Sequence, residues 1–65
     1  MPKYVLKIVG DKAIDIEDER SLTRLANAVA EEGCIITQDI TPQEGYPDWK
    51  KETAFFASQV ISIRE

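Results

Sequence analysis

Residues 18–33 read DERSLTRLANAVAEEG, and this stretch decides the fold. Its apolar residues recur at three- and four-residue spacing, which is typical of an amphipathic helix; they are Leu22, Leu25, Ala26 and Val29. We predict that Asp18 is the N-cap and that Glu19 adds favourable charge near the first turn. Gly33 suits the left-handed position that ends a helix. Such a short helix needs tertiary packing, so its apolar face is predicted to cover a sheet; the alternative is a helix displayed to a partner.

Two strands are predicted before this helix. Tyr4–Val9, YVLKIV, is apolar on both faces, which is typical of a central strand. Gly10-Asp11 predicts a two-residue hairpin loop of type II′. The return strand, Lys12–Ile16, would direct Ile14 and Ile16 inward.

Strands are also predicted after the helix. The third is Cys34–Ile40, with Ile35 and Thr37 on the face opposite Ile36, Gln38 and Ile40. Cys34 is predicted to be a small buried hydrophobic residue rather than a reactive thiol, because the chain has neither a histidine nor a second cysteine. Residues 41–49 contain two prolines and a glycine, which favour a long loop.

The segment KKETAFFA at 50–57 is compatible with a helix or a strand. We take Thr53–Ala57 as the fourth strand, followed by a turn at Ser58-Gln59 and a short fifth strand that contains Ile61 and Ile63. The predicted fold class is α+β, in a single domain of residues 1–65. One helix packs on a small antiparallel-rich sheet, and the element order is strand, strand, helix, strand, strand, strand.

The C-terminal segment FFASQVISI, residues 55–63, resembles the ending of many small uncharacterised bacterial and phage proteins, in which a strand, a polar turn and an isoleucine-rich strand follow one another. The opening hairpin and the acidic residues before the helix are similar to the same group. This chain has Ala57-Ser58 where the group often has asparagine or proline. The resemblance implies a final hairpin and brings no activity or site residues with it.

Composition disfavours several classes of function. The chain has 65 residues, a net charge of −4 and no histidine, so the commonest general base and metal ligand is missing. The three glycines stand apart, and no phosphate-binding loop is present. We therefore predict no catalytic, cofactor-binding or metal-binding residues, and no small-molecule substrate. The lone cysteine and the short apolar run in MPKYVLKIVG predict a cytoplasmic protein without a membrane span.

The densest charge is the acidic run Asp15, Glu17, Asp18 and Glu19. These oxygens could ligate a hard cation, but their spacing matches no calcium loop. The favoured interpretation is a solvated strand face followed by a helix cap.

The loop supplies the candidate partner-binding residues Tyr46, Asp48, Trp49 and Lys50. Aromatic residues held by prolines are typical of protein interfaces. The alternative is that Trp49 folds back over the core.

These features predict a small non-catalytic protein-interaction module that self-associates, with a homodimer as the expected form. One alternative is a phage-type inhibitor with an acidic surface around Glu17 and Glu19. The other is a nucleic-acid-associated accessory protein, which the acidic net charge opposes. Its contact set would be Arg20, Arg24, Lys50 and Lys51 with Tyr46, Trp49, Phe55 and Phe56 as stacking groups.

Overall fold

The computed structural model describes residues 1–42, 45 and 50–65. The elements in chain order are β1 (Lys3–Ile8), β2 (Lys12–Glu17), α1 (Leu22–Glu32), β3 (Cys34–Asp39), β4 (Lys51–Phe56) and β5 (Val60–Arg64). The strands form a five-stranded sheet in the order β4-β3-β2-β1-β5, and every neighbouring pair is antiparallel. The predicted α+β class and element order are confirmed. The terminal hairpin that the resemblance implies is wrong, because β4 and β5 lie at opposite edges of the sheet and do not pair.

The predicted N-cap is wrong: Ser21, not Asp18, caps α1. The Ser21 hydroxyl oxygen accepts a hydrogen bond of 3.2 Å from the Arg24 N–H. Asp18 lies three positions before this cap, and its carboxylate accepts from the N–H and the side chain of Arg20 instead. Glu19 also precedes the helix and lies outside its first turn. At the other end, Gly33 adopts φ 79°, which confirms the left-handed termination.

Helix α1 packs against one face of the sheet, and Leu25 is its fully buried residue. Leu22 and Val29 are half-buried, as the periodicity predicts, but Ala26 is exposed and Ala28 takes the inward place. The buried hydrophobic core comprises Tyr4, Leu6, Ile16, Leu25, Ile35 and Phe55. In the described part of the chain, no helix has the length and apolar character required to cross a membrane.

The loop between β1 and β2 differs from the two-residue prediction. Ile8 pairs with Lys12, so Val9, Gly10 and Asp11 form a three-residue loop. Gly10 has φ 87° and Asp11 has φ 58°. A type II′ turn requires a positive φ only at its first central residue, which is why the predicted type does not fit.

The shortest strand pairing in the sheet is the one between β2 and β3. The register joins them at Ile16↔Asp39 and Glu17↔Gln38, whereas β1 and β2 are paired along their whole length. The Ile40 N–H donates to the Asp15 carbonyl at 2.8 Å and extends this junction. β2 ends at Glu17, although the Asp18 N–H still donates to the Pro2 carbonyl at 3.1 Å before the chain leads into α1. The observed boundaries of β3 and β4 differ from the predicted ones. β3 ends at Asp39 rather than Ile40, and β4 starts at Lys51 rather than Thr53.

Candidate interaction surface

The face of the sheet opposite α1 carries a cluster of apolar side chains where β3 runs beside β4. Cys34 lies opposite Phe56, and Ile36 lies opposite Ala54. Directly opposite residues project from the same face of a sheet. The alternate residues Ile35, Thr37 and Phe55 are buried on the helix side. We call the cluster Cys34, Ile36, Ala54 and Phe56 the β3–β4 patch.

The β3–β4 patch is well exposed to solvent. Ile36 keeps 59% and Phe56 keeps 54% of its surface accessible. Ala54 is also exposed, whereas Cys34 is half-buried and so less buried than predicted. Adjacent exposed apolar side chains are the usual sign of an interaction surface, whereas single ones are ordinary.

An ion pair between Asp18 and Arg20 lies beside this patch, and we call it the clasp. Arg20 Nε donates to Asp18 Oδ1 at 2.9 Å and Nη2 donates to Oδ2 at 2.8 Å, which is the bidentate geometry. Nη2 also donates to the Ile36 carbonyl at 3.0 Å. The guanidinium therefore reaches β3 at the point where the backbone of β2 has turned away.

The clasp shifts the acid–base equilibria of both its members. The side-chain hydrogen bonds from Arg20 hold the pKa of the Asp18 carboxyl well below its usual range, and they outweigh the effect of burial. The same hydrogen bonds raise the pKa of Arg20. Asp18 has only 8% of its side chain exposed, and Arg20 satisfies it. The hydrogen bonds between Asp18 and Arg20 are therefore the main cause of both pKa shifts.

A second ion pair connects the open face to the start of β4. Lys50 Nζ donates to Glu17 Oε1 at 3.0 Å. This hydrogen bond lowers the pKa of Glu17. Glu17 and Asp18 are the centre of the acidic run, and each therefore forms an ion pair with a basic side chain.

Among the residues that the structure describes, two open concavities include side chains of α1. The larger, about 570 Å³, surrounds the clasp and is lined by charged residues that include Glu17, Glu19, Arg24 and Glu52. The other, about 510 Å³, separates α1 from β5 and has a mainly apolar lining that includes Leu22, Val29, Val60 and Ile63.

The predicted partner-binding residues fall mostly outside the described part of the chain. Tyr46, Asp48 and Trp49 lie there, so their role in binding stays a prediction, as does the choice between core and interface for Trp49. Lys50 is described, and its amine is bound to Glu17. In the set considered for nucleic acid, Phe55 is 7% exposed and belongs to the core, so it cannot stack on a base.

Sequence reasoning missed the β3–β4 patch, although a signal was present. The pair Phe55-Phe56 lies within a strand, and consecutive strand residues point to opposite faces. Ile35-Ile36 repeats the pattern in the neighbouring strand. A chain with one predicted helix can cover one face of its sheet, so Ile36 and Phe56 could have been predicted to be exposed.

Comparison with protein-family models, curated proteins and solved structures finds no significant match.

Proposed function

We propose that this protein is a small, non-catalytic protein-interaction module that associates with a second copy of itself through the β3–β4 patch. The observation that supports the proposal is the pair Ile36 and Phe56, both more than half exposed on the sheet face that α1 leaves open. Burial of apolar surface is the main favourable term in protein association. A domain of 65 residues also has a small core, so it gains stability from association.

The non-catalytic part of the proposal rests on how the ionisable groups are used. Asp18, Glu17 and Arg20 have displaced pKa values, which can mark a catalytic site. Here each of the three is hydrogen-bonded to an oppositely charged side chain, and those bonds account for the shifts. The lone cysteine fits a reducing compartment such as the cytoplasm.

A matched pair of variants tests the proposal. Ile36→Ser removes an apolar side chain from the β3–β4 patch, and Ile61→Ser makes the same change on β5 at nearly equal exposure, 59% against 57%. Sedimentation equilibrium over a wide concentration range should show that the parent self-associates. Ile36→Ser should weaken that association at least tenfold, and Ile61→Ser should leave it within about twofold of the parent.

Two outcomes would refute this function. If the parent chain stays monomeric at millimolar concentration, the proposal that it self-associates is wrong. Equal weakening by both substitutions would show that the β3–β4 patch is not the contact. Urea denaturation of each variant separates loss of association from loss of folding.

A further inference from the structure

The open face of β3 and β4 changes from apolar to charged along the strands. Three cross-strand pairs project from it, namely Cys34 with Phe56, Ile36 with Ala54, and Gln38 with Glu52. The first two pairs are the β3–β4 patch, and the third adds an amide and a carboxylate. We call the level of Cys34 and Phe56 the apolar end, and the level of Gln38 and Glu52 the charged end.

Lys50 brings a positive charge to the charged end. Strand β3 lies between β4 and β2 in the sheet, and the Lys50 amine reaches Glu17 on β2. Glu17 pairs with Gln38, so the Lys50 side chain crosses β3 beside Gln38. The Lys50 side chain keeps 56% of its surface accessible. An ammonium group has three donors, so a second carboxylate can bind it alongside Glu17.

We infer that the second copy packs its open face on that of the first, with the two-fold axis parallel to the strands and between β3 and β4. This inference rests on the proposed function and specifies the orientation of the partner. Strand β4 of each copy then lies over β3 of the other, in the aligned manner of two packed sheets. An isologous contact of this kind closes after two copies.

The contact is made by side chains and leaves the backbone of the sheet edge unchanged. The Gln59 N–H donates to the Phe56 carbonyl at 2.8 Å in the turn after β4, and this hydrogen bond is kept in the dimer. Ile36 and Phe56 both become covered, so the two most exposed side chains of the β3–β4 patch contribute to association.

Side-chain size favours this orientation. Each cross-strand pair of the β3–β4 patch joins a large side chain to a small one, Ile36 to Ala54 and Phe56 to Cys34. When β4 lies over β3 at the same level, Ile36 of one copy faces Ala54 of the other. Phe56 likewise faces Cys34. Large side chains over small ones allow two layers to interdigitate at the usual sheet separation of about 10 Å.

Charge favours the same orientation. Like ends of the two open faces meet, so Glu52 of one copy faces Gln38 of the other and lies beside its Lys50. An axis perpendicular to the strands would reverse one copy and place Glu52 over Phe56. That arrangement would remove a carboxylate from water without a partner, which is unfavourable. It would also stack the two Ile36 side chains on each other.

The area of this contact indicates a weak dimer. Two neighbouring strands of six residues cover about 10 Å by 20 Å. The chain exposes 4585 Å². A standard interface takes roughly 800 Å² from each partner, and an overlap of two strands takes less. The dimer therefore forms reversibly and depends on protein concentration. Ile61 on β5 stays outside the contact.

A nitroxide label on one copy determines the orientation of the other. Both copies carry Cys34→Ala, which keeps a small side chain beneath Phe56. One copy is labelled with ¹⁵N, and the unlabelled copy carries the nitroxide on Ser58→Cys, an exposed position just beyond the apolar end. In mixed dimers the nitroxide broadens only nearby amide signals of the ¹⁵N-labelled copy. Reduction of the nitroxide with ascorbate gives the control spectrum.

The two orientations predict broadening at opposite ends of the strands, which lie about 20 Å apart. With the axis parallel to the strands, the amide signals of Gly33 and Ile35 should be lost and those of Lys51 and Glu52 should stay sharp. Loss at Lys51 and Glu52 instead would overturn the inferred orientation. Loss at neither end would show that the open faces are not in contact.

Charge reversal tests the orientation in the chain with its native cysteine. Glu52→Lys places an ammonium group against Lys50 of the second copy, so it should weaken association about fivefold in sedimentation equilibrium. Glu31→Lys makes the same change of net charge at an exposed position of α1 and should change association by less than about twofold. Equal effects of the two variants, or tighter association of Glu52→Lys, would contradict the inferred orientation.

Failure of the orientation and failure of the proposed function are distinguishable. If Ile36→Ser weakens association but the nitroxide acts at the charged end, the β3–β4 patch is the contact and the orientation is wrong. A monomeric parent would refute both.

Discussion

The two ends of the sheet are built differently. At one end, β5 pairs with β1 through a bulge, and β1 pairs with β2 along its full length. At the other end, β4 pairs with β3 without interruption, but β3 and β2 share a shorter junction of two residue pairs, the Ile40–Asp15 hydrogen bond, the Thr37–Glu17 hydrogen bond and the clasp. The end with the weaker attachment therefore carries the more regular edge and the β3–β4 patch. Regular edges favour pairing with another chain, and bulged ones resist it.

The largest expected effect comes from breaking the clasp. Asp18→Asn removes the charged, bidentate acceptor of Arg20 and should loosen the β3–β4 end. Hydrogen bonds to charged groups contribute about 1.5–3 kcal/mol, so we expect the free energy of unfolding to fall by about 2 kcal/mol in urea denaturation. The exposed neighbour Glu19→Gln is the control and should change it by less than about 0.5 kcal/mol. Equal effects from both would contradict a structural role for the clasp.

Proline substitution distinguishes the two sides of β4. The Ala57 N–H donates to the Gly33 carbonyl, so the hydrogen-bonded pairs of β3 and β4 fall at odd-numbered positions and the Ala54 N–H takes no part in them. Ala54→Pro should therefore lower the free energy of unfolding by less than about 1 kcal/mol. Ala57→Pro removes the N–H bound to the Gly33 carbonyl and should lower that free energy by about 1–3 kcal/mol. Urea denaturation measures both effects, and equal losses from the two variants would contradict this assignment.

The pH dependence of stability isolates the contribution of Asp18. Its pKa is lowered by folding, so its stabilising effect is complete above the unfolded value of about 3.9 and is lost as pH falls toward the lower folded value. The difference in unfolding free energy between the parent and Asp18→Asn should stay constant from about pH 7 to pH 5 and narrow below about pH 4. A difference that persists unchanged at pH 2 would show that it comes from packing instead.

The smallest expected effect lies at the turn that follows β4. Gln59 Oε1 accepts from the Phe56 N–H at 3.4 Å, a long hydrogen bond, and the Gln59 N–H donates to the Phe56 carbonyl at 2.8 Å. Gln59→Ala removes only the long side-chain hydrogen bond, so it should change the unfolding free energy by less than about 0.5 kcal/mol in urea denaturation. A loss above about 1 kcal/mol would contradict this ranking of the two hydrogen bonds.

Sequence periodicity predicted the features of the fold that are determined within a single helix or strand. The alternation in residues 4–8 and 34–38, and the spacing of Leu22, Leu25 and Val29, were sufficient for the element order and most of the core. The wrongly predicted N-cap of α1 shows what sequence periodicity cannot predict. Asp18 and Ser21 are both good N-cap residues, and the competition was decided by Arg20, whose partner on β3 is sixteen positions away in sequence.

The candidate surface was harder to predict because it depends on pairing between strands. Ile36, Ala54 and Phe56 become neighbours only through the β3–β4 register, which the sequence pattern did not specify. The partner-binding prediction was placed on the aromatic loop instead, since Tyr46 and Trp49 are only three positions apart in sequence.

The position of β1 between β2 and β5 has a consequence for the order of folding. The hairpin of β1 and β2 closes a short loop, so we expect it to form early. The pair Val5↔Arg64 joins residues near the two ends of the sequence, so we expect β5 to pair with β1 late. During that interval β1 is itself an open edge. Lys3 and Lys7 flank Val5 on its uncovered face, and lysine at such positions opposes pairing with other chains. We therefore expect these two lysines to oppose aggregation of the half-folded chain until β5 pairs with β1.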